Sequence, residues 1–157
     1  MKTLPVLLAA AALFGAGCGG DDNSSDSGSD SGARGYAETG QAVSDVCTRA
    51  NAEINKLAAD LDGTAKHDAP TVEKIIGTSD KFLGELREIK PDPKLQETFD
   101  KYVDAVAAGQ ERAREVLKAA QSGNDENYRS AAEAADTDKT THPLARALGA
   151  TECAKSS

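Results

Sequence analysis

The side chains in this sequence that are suited to covalent or metal chemistry are few: three cysteines, at positions 18, 47 and 153, and two histidines, His67 and His142. A thiol can be acylated, oxidised to a disulfide, bound to a metal or used as a nucleophile, depending on its compartment and its neighbours. An imidazole needs a partner at a fixed spacing before a metal-binding or catalytic role can be assigned to it. The chemistry of these five residues therefore depends on the segments around them.

The segment before Cys18 has the organisation of an export signal. Met1 and Lys2 precede an apolar run from Leu4 to Phe14, and small residues follow at positions 15–17. The apolar run is shorter than the roughly 20 residues that a helix needs to cross a bilayer. The sequence therefore predicts that residues 1–17 are a signal peptide and that the chain is exported.

Cys18 directly follows Ala16 and Gly17, and this segment resembles the lipobox of bacterial lipoproteins, although Gly15 stands where that family usually has leucine. In that family the thiol receives a diacylglyceryl group, and cleavage just before it makes the cysteine the new N-terminus. The resemblance implies lipidation of Cys18, palmitate-type chains included, and anchoring at the extracytoplasmic face of the cell membrane. Two or more acyl chains give stable anchoring. The alternative is ordinary cleavage within residues 10–17, with Cys18 left as a free thiol.

Lipidation of Cys18 would leave Cys47 and Cys153 as one possible disulfide. An odd number of cysteines in an oxidising compartment leaves one thiol unpaired, and the lipid gives that cysteine a role. The alternative is that Cys47 and Cys153 are two separate buried thiols.

Residues 18–35 consist mostly of Gly, Ser, Asp and Asn after the cysteine. Such a segment buries too little apolar surface to offset the entropy of ordering it, so we expect a disordered tether. A flexible Gly/Ser-rich chain of this length spans about 20 to 25 Å. Its aspartates would be repelled by an anionic membrane.

Residues 36–157 show helical periodicity, because apolar residues recur at steps of three and four. The first stripe contains Val43, Cys47, Ala50, Ile54, Leu57 and Leu61, with Tyr36 in the same register. The second contains Val72, Ile75, Ile76, Phe82, Leu83, Leu86 and Ile89. The third contains Leu95, Phe99, Tyr102, Val106, Ala113, Val116 and Ala120. The fourth is thinner and contains Tyr128, Ala131, Ala132, Ala135, Leu144 and Leu148.

Start and stop signals separate these four segments. Asp62-Gly63 ends the first, Pro70 lies in the first turn of the second, and Lys90-Pro91 ends it. Asp92 is a good N-cap and Pro93 a good first residue for the third, which Gly123 closes. The fourth opens at Asn124 or Asp125, is interrupted by Pro143 and ends at Gly149.

The short connections predict an all-α domain, an antiparallel up-down four-helix bundle formed by residues 36–157. In that topology the start of the first helix and the end of the fourth lie at the same end of the bundle, on adjacent corners. Cys47 lies near the first of these points and Cys153 just beyond the second. The pair can then meet without rearrangement.

A second resemblance involves the same two regions. The stretches VCTRANAEI at 46–54 and LGATECA at 148–154 resemble the paired ends of small helical lipoproteins of high-GC Gram-positive bacteria, which are largely uncharacterised. The resemblance implies the same link between Cys47 and Cys153 and no particular function.

The inward positions of the predicted bundle do not form a known cofactor site. A di-iron bundle uses Glu-x-x-His pairs, whereas the residues three before His67 and His142 are Thr64 and Lys139. His/Met haem ligation is not expected, since the only methionine, Met1, leaves with the signal. We interpret both histidines as solvated residues at helix ends, and we expect no cofactor, no metal site and no catalytic residue.

The formal net charge of −8 disfavours binding to nucleic acid. The basic residues Arg112, Arg114 and Lys118 alternate with acidic ones, which is typical of a salt-bridged solvent face.

The sequence therefore predicts a non-enzymatic, membrane-anchored lipoprotein whose helical domain binds or scaffolds, with an envelope protein as a possible partner. The alternative is a carrier that holds a small apolar ligand between its helices. Small residues at 107–109 and 113 (Ala107, Ala108, Gly109 and Ala113) would leave room for one, although close helix packing also explains them. A dry pocket of several hundred cubic ångströms would favour the carrier, and a filled core would favour the interaction module.

Overall fold

A computed structural model of the chain describes residues 34–135 and 138–155, and these residues form helices, with none of them in a β-strand. The α-helices are α1 Tyr36–Ala58, α2 Ala65–Glu88, α3 Gln96–Gln121, α4 Asp125–Ala134 and α5 Asp138–Ala147. Short 3₁₀ helices occupy Pro93–Leu95 and Thr151–Ala154. The all-α prediction is confirmed. The predicted signal peptide, the acylated Cys18 and nearly all of the tether lie outside the described residues.

Some predicted helix boundaries are confirmed by their capping contacts. Asp92 Oδ1 accepts a hydrogen bond of 2.8 Å from the Lys94 N–H as predicted for a cap, but it caps the 3₁₀ turn that Pro93 opens, and α3 itself begins three residues later, at Gln96. Asn124 Oδ1 caps α4 by accepting from the Asn127 N–H at 2.9 Å. Gly123 follows α3 with a φ of +72°, a conformation that glycine adopts at low cost.

The predicted start of the second helix is wrong. Pro70 was expected in its first turn, but α2 begins at Ala65 and Pro70 lies in the second turn. The extra turn is held by the Asp68 N–H, which donates to the Thr64 carbonyl at 2.9 Å, and by further bonds to the Asp68 carboxylate. These contacts compensate for the backbone hydrogen bond that proline cannot make.

The fourth predicted helix is two helices, and the predicted interruption at Pro143 is wrong. Pro143 lies inside α5, while α4 ends earlier, at Ala134. The ring of Pro143 is exposed, whereas Ala145 and Leu148 are fully buried against the other helices. Packing of this apolar face therefore holds α5 together despite the missing N–H.

The apolar stripes meet in two clusters. The larger joins α1, α2, α3 and the C-terminal segment around Phe82, Phe99, Tyr102 and Leu148. The smaller cluster joins α2, α3 and α4 around Val116. Contacts run between α1 and α2, α2 and α3, α3 and α4, and α3 and α5, and the C-terminal 3₁₀ turn contacts α1. Among the described residues, no helix combines the length and apolar character needed to span a membrane.

Candidate functional site

Cys47 and Cys153 are brought together as the sequence predicts. Their sulfur atoms are 2.04 Å apart, at disulfide-bonding distance, and their Cα atoms are 5.3 Å apart. Cys47 lies on α1 and Cys153 in the 3₁₀ turn after α5. This pair connects the first helix to the C-terminal segment.

The same two segments also meet in a close approach of two backbones at Gly40. A Cβ atom at position 40 would lie 2.7 Å from the Leu148 carbonyl oxygen and 2.9 Å from the backbone of Gly149. Gly149 itself has a φ of +74° and turns the chain after α5. The Tyr36 hydroxyl also donates to the Ala147 carbonyl, at 3.2 Å. The absence of a side chain at Gly40 therefore allows α1 to receive the end of α5.

Beside the cysteine pair lies a partly open cavity of about 310 Å³ between α1, α2, α3 and the α4–α5 region. Its walls are mainly apolar and include Ile54, Phe82, Leu83, Leu86, Tyr102 and Val106, together with both cysteines. Of the small residues that were predicted to leave room, Gly109 and Ala113 line the cavity. Ala107 packs against the larger cluster instead, and Ala108 is exposed.

Two buried polar groups on α3 belong to the wall of this cavity. Gln110 is only 6% exposed, and its Oε1 atom is buried without a hydrogen-bond partner among the described residues. An unsatisfied buried acceptor of this kind costs about 1 to 3 kcal/mol. The Tyr102 hydroxyl lies 3.3 Å from Cys47 Sγ, a weak acceptor, and burial raises the pKa of Tyr102 to about 12. Both groups are therefore neutral at physiological pH, and neither has a strong partner.

A second polar cluster, which the sequence analysis missed, centres on Asp68. This residue is 0% exposed, and its carboxylate accepts hydrogen bonds from the backbone N–H groups of Asp62 and Gly63, at 3.0 and 2.9 Å. The Tyr128 hydroxyl donates to the same carboxylate at 3.1 Å, and His67 Nδ1 lies 3.1 Å from it. Asp68 therefore links the α1–α2 connection to α4.

Charges within this cluster follow from its contacts. Burial opposes ionisation of Asp68, but hydrogen bonds from Asp62, His67, Gly63 and Tyr128 outweigh it and hold the pKa of Asp68 below its usual value. The hydrogen bond to Asp68 and the charge of Asp62 raise the pKa of His67. Burial, with the nearby Asp68 charge, raises the pKa of Tyr128 to about 12. The cluster thus favours an anionic Asp68 beside a protonated His67.

Asp62, His67 and Asp68 together offer ligand atoms within 4.8 Å of one another, the geometry of a possible metal site. Their protein contacts already explain this arrangement. Asp62 Oδ1 accepts from the Thr64 N–H at 2.9 Å and from the Thr64 hydroxyl at 2.6 Å, and both oxygens of Asp68 accept hydrogen bonds. The cluster therefore closes the loop before α2. His142, in contrast, lies in α5 and lines the cavity.

The predicted salt-bridged face of α3 is confirmed for two of its three basic residues. Arg114 pairs with Glu111 at 2.6 Å and also with Asp80 of α2 at 2.8 Å, and Lys118 pairs with Glu115 at 2.9 Å. Arg112 differs from Arg114 and Lys118, because it is half-buried and its Nε has no hydrogen-bond partner among the described residues.

Comparison of the chain with protein-family models, with curated proteins and with solved structures finds no match. The functional interpretation therefore depends on the residues and geometry described above.

Proposed function

We propose that this chain is an exported lipoprotein, anchored through acylated Cys18 at the extracytoplasmic face of the cell membrane, with a non-catalytic binding domain. In this proposal residues 1–17 are removed, residues 18–35 form the tether, and residues 36–157 form the domain. The observation that carries it is the cysteine pair at disulfide-bonding distance. Structural disulfides persist in oxidising compartments outside the cytosol, so this pair supports export.

We further propose that the helices run antiparallel in up-down order, with α4 and α5 together in the place of the fourth helix. The connections from α2 to α3 and from α3 to α4 are short, and successive helices contact one another. Short connections favour antiparallel neighbours. The contact of the C-terminal 3₁₀ turn with α1 supports a common end for the start and finish of the domain.

Two kinds of binding are compatible with such a domain: docking of an envelope protein on a helix face, and carriage of a small apolar ligand between helices. The cavity of about 310 Å³ beside the cysteine pair favours the carrier. Ligand pockets in proteins start at roughly 300 Å³ and are mostly apolar with a few polar groups. Gln110 and Tyr102 are such groups in this wall.

The export and anchor proposal is tested by the intact mass of the protein purified from its own membrane, with and without reductant. We expect loss of residues 1–17, added acyl mass on Cys18 and a gain of two hydrogen atoms on reduction. A Cys18→Ala variant is the matched control and should carry no acyl mass. An unmodified Cys18 would contradict the anchor, and two free thiols before reduction would contradict the bridge.

A further inference from the structure

Two of the polar groups that line the cavity, Tyr102 and Gln110, lie on one face of α3. Tyr102, Val106, Gly109, Gln110 and Ala113 all line it, at helical spacing. Gln110 lies eight positions after Tyr102, which corresponds to about 12 Å along the helix axis. Between these two polar side chains the α3 wall is formed by the aliphatic Val106 and the bare backbone of Gly109. This length suits a fused bicyclic ring or a short alkyl chain.

Gln110 is the group whose hydrogen bonding is incomplete. It is buried to more than nine-tenths, it lines the cavity, and its Oε1 has no partner among the described residues. The terminal torsion of a glutamine side chain is broad, so a small rotation can bring this unpartnered oxygen to the cavity surface while the amide nitrogen stays inside the wall. A buried acceptor that lacks a donor is satisfied by a ligand that supplies one.

The charge of the wall favours an uncharged occupant. Most of the lining side chains are aliphatic or aromatic, and no carboxylate of the described residues lines the cavity, so an ion placed there would lose hydration and a cation would find no counter-charge in this wall. Lys155 lines the cavity but is exposed, and its Nζ binds the Glu152 carboxylate at 2.6 and 2.7 Å. His142 also lines the cavity and is half-buried.

From these observations we infer that the cavity binds a small, uncharged molecule with an apolar body and one hydrogen-bond donor, such as an aromatic alcohol, and that the donor bonds to the Gln110 amide oxygen. This inference rests on the proposed carrier function and specifies its ligand class. Gln110 is the specificity-determining residue, and the apolar walls bind the ring.

The test compares two probes that differ in a single hydrogen-bond donor: 1-naphthol and 1-methoxynaphthalene. Each is titrated by calorimetry into the full chain carrying Cys18→Ser, so that no lipid competes for the cavity. We expect saturable 1-naphthol binding with one site per chain. The methoxy compound, which cannot donate, should bind about tenfold more weakly, the effect of one hydrogen bond.

Three variants assign this preference to the cavity. Gln110→Leu should remove the preference for 1-naphthol while retaining affinity for 1-methoxynaphthalene, because it replaces the amide by an apolar group of similar size. Ala113→Leu should weaken both probes at least tenfold by filling the cavity. Glu97→Gln, on the exposed face of α3, is the control and should change neither affinity. Circular dichroism and urea unfolding confirm that each variant is folded.

Failure of both probes to bind the folded protein up to their solubility limits would overturn the inference. Equal affinity for the two probes would overturn the donor requirement, and an unchanged preference in Gln110→Leu would overturn the role of Gln110. These results are distinct from failure of the anchor, because lipidation of Cys18 is read by mass. An acylated protein that binds neither probe would retain the anchor and lose only the ligand.

Discussion

Asp68 joins three parts of the chain through one fully buried carboxylate. Replacing it by alanine would leave the N–H groups of Asp62 and Gly63 and the Tyr128 hydroxyl without their acceptor. We expect Asp68→Ala to lower the free energy of unfolding by about 3 kcal/mol, since several bonds to a charged group are lost and buried donors remain unpaired. Urea unfolding under oxidising conditions measures the change.

Two companion variants separate the contributions. Tyr128→Phe removes one bond to the carboxylate and should cost about 1 kcal/mol. Asp60→Ala changes an exposed neighbouring carboxylate and should stay within about 0.5 kcal/mol of the parent. If Asp68→Ala were as stable as Asp60→Ala, Asp68 would not be a stabilising residue.

His67 gives this cluster a pH dependence of defined sign. Its pKa is raised in the folded state, so protonation of His67 favours folding. The stabilisation is fully present below the unfolded-state pKa of about 6.5 and is lost as pH rises through the higher folded-state value. We therefore expect the urea midpoint to fall as pH rises above about 6.5. His67→Gln should remove this component of the slope, and an identical slope in the variant would show that other groups produce it.

The packing of α1 against the end of α5 depends on Gly40. Gly40→Ala would place a Cβ 2.7 Å from the Leu148 carbonyl oxygen, and backbone atoms cannot rotate away as a side chain can. We expect a loss of stability of about 1 to 3 kcal/mol from overpacking, despite the higher helix propensity of alanine. Thermal and urea unfolding report this change.

Gly84 in α2 provides a matched control for Gly40. A Cβ there would meet no atom within 4 Å. Gly84→Ala should therefore stabilise the protein by about 0.5 to 1 kcal/mol through helix propensity alone. Equal effects of the two substitutions would show that the close approach at Gly40 does not constrain the fold.

At the level of helices, the apolar periodicity predicted α1, α2 and α3 because each carries a long stripe that must be buried. Boundaries were predictable where a local signal sets them, as with the Asp92 cap and Gly123. The start of α2 was not predictable in this way, because it depends on contacts of Asp68 with residues before the helix and with Tyr128 on α4. The break before α5 was misplaced at Pro143, because the packing of Ala145 and Leu148 overrides a local proline effect.

The candidate site was predictable only in part, for related reasons. The pairing of Cys47 with Cys153 follows from the number of cysteines and the order of the helices, which are properties of the whole chain. The role of Gln110 depends on how four segments pack, since an unpaired amide oxygen is defined by what surrounds it. Composition and spacing carry no such information about a glutamine on a helix.

The whole domain is closed by the contact between its two ends. The cysteine pair joins residues separated by 106 positions, so oxidation closes a loop over about two thirds of the 157-residue chain. In the chain-entropy model a loop of this size stabilises by at most about 4 to 5 kcal/mol. We expect the Cys47→Ala/Cys153→Ala double variant to lose stability up to that limit in urea unfolding, and reductant to destabilise the parent but not the double variant.

The loss of stability in the double variant should also be uneven along the chain. The C-terminal segment contacts α1 through its 3₁₀ turn and buries Leu148 and Ala150 in the larger cluster. Without the covalent link these contacts alone hold the segment, so it should open before the α2–α3 pair. Limited trypsin digestion should therefore cleave at Arg146 and Lys155 faster in the double variant, while cleavage within α2 and α3 stays slow. An equal increase in the cleavage rate at all sites would instead show that the domain unfolds as one unit. The disulfide would then act only on the unfolded chain.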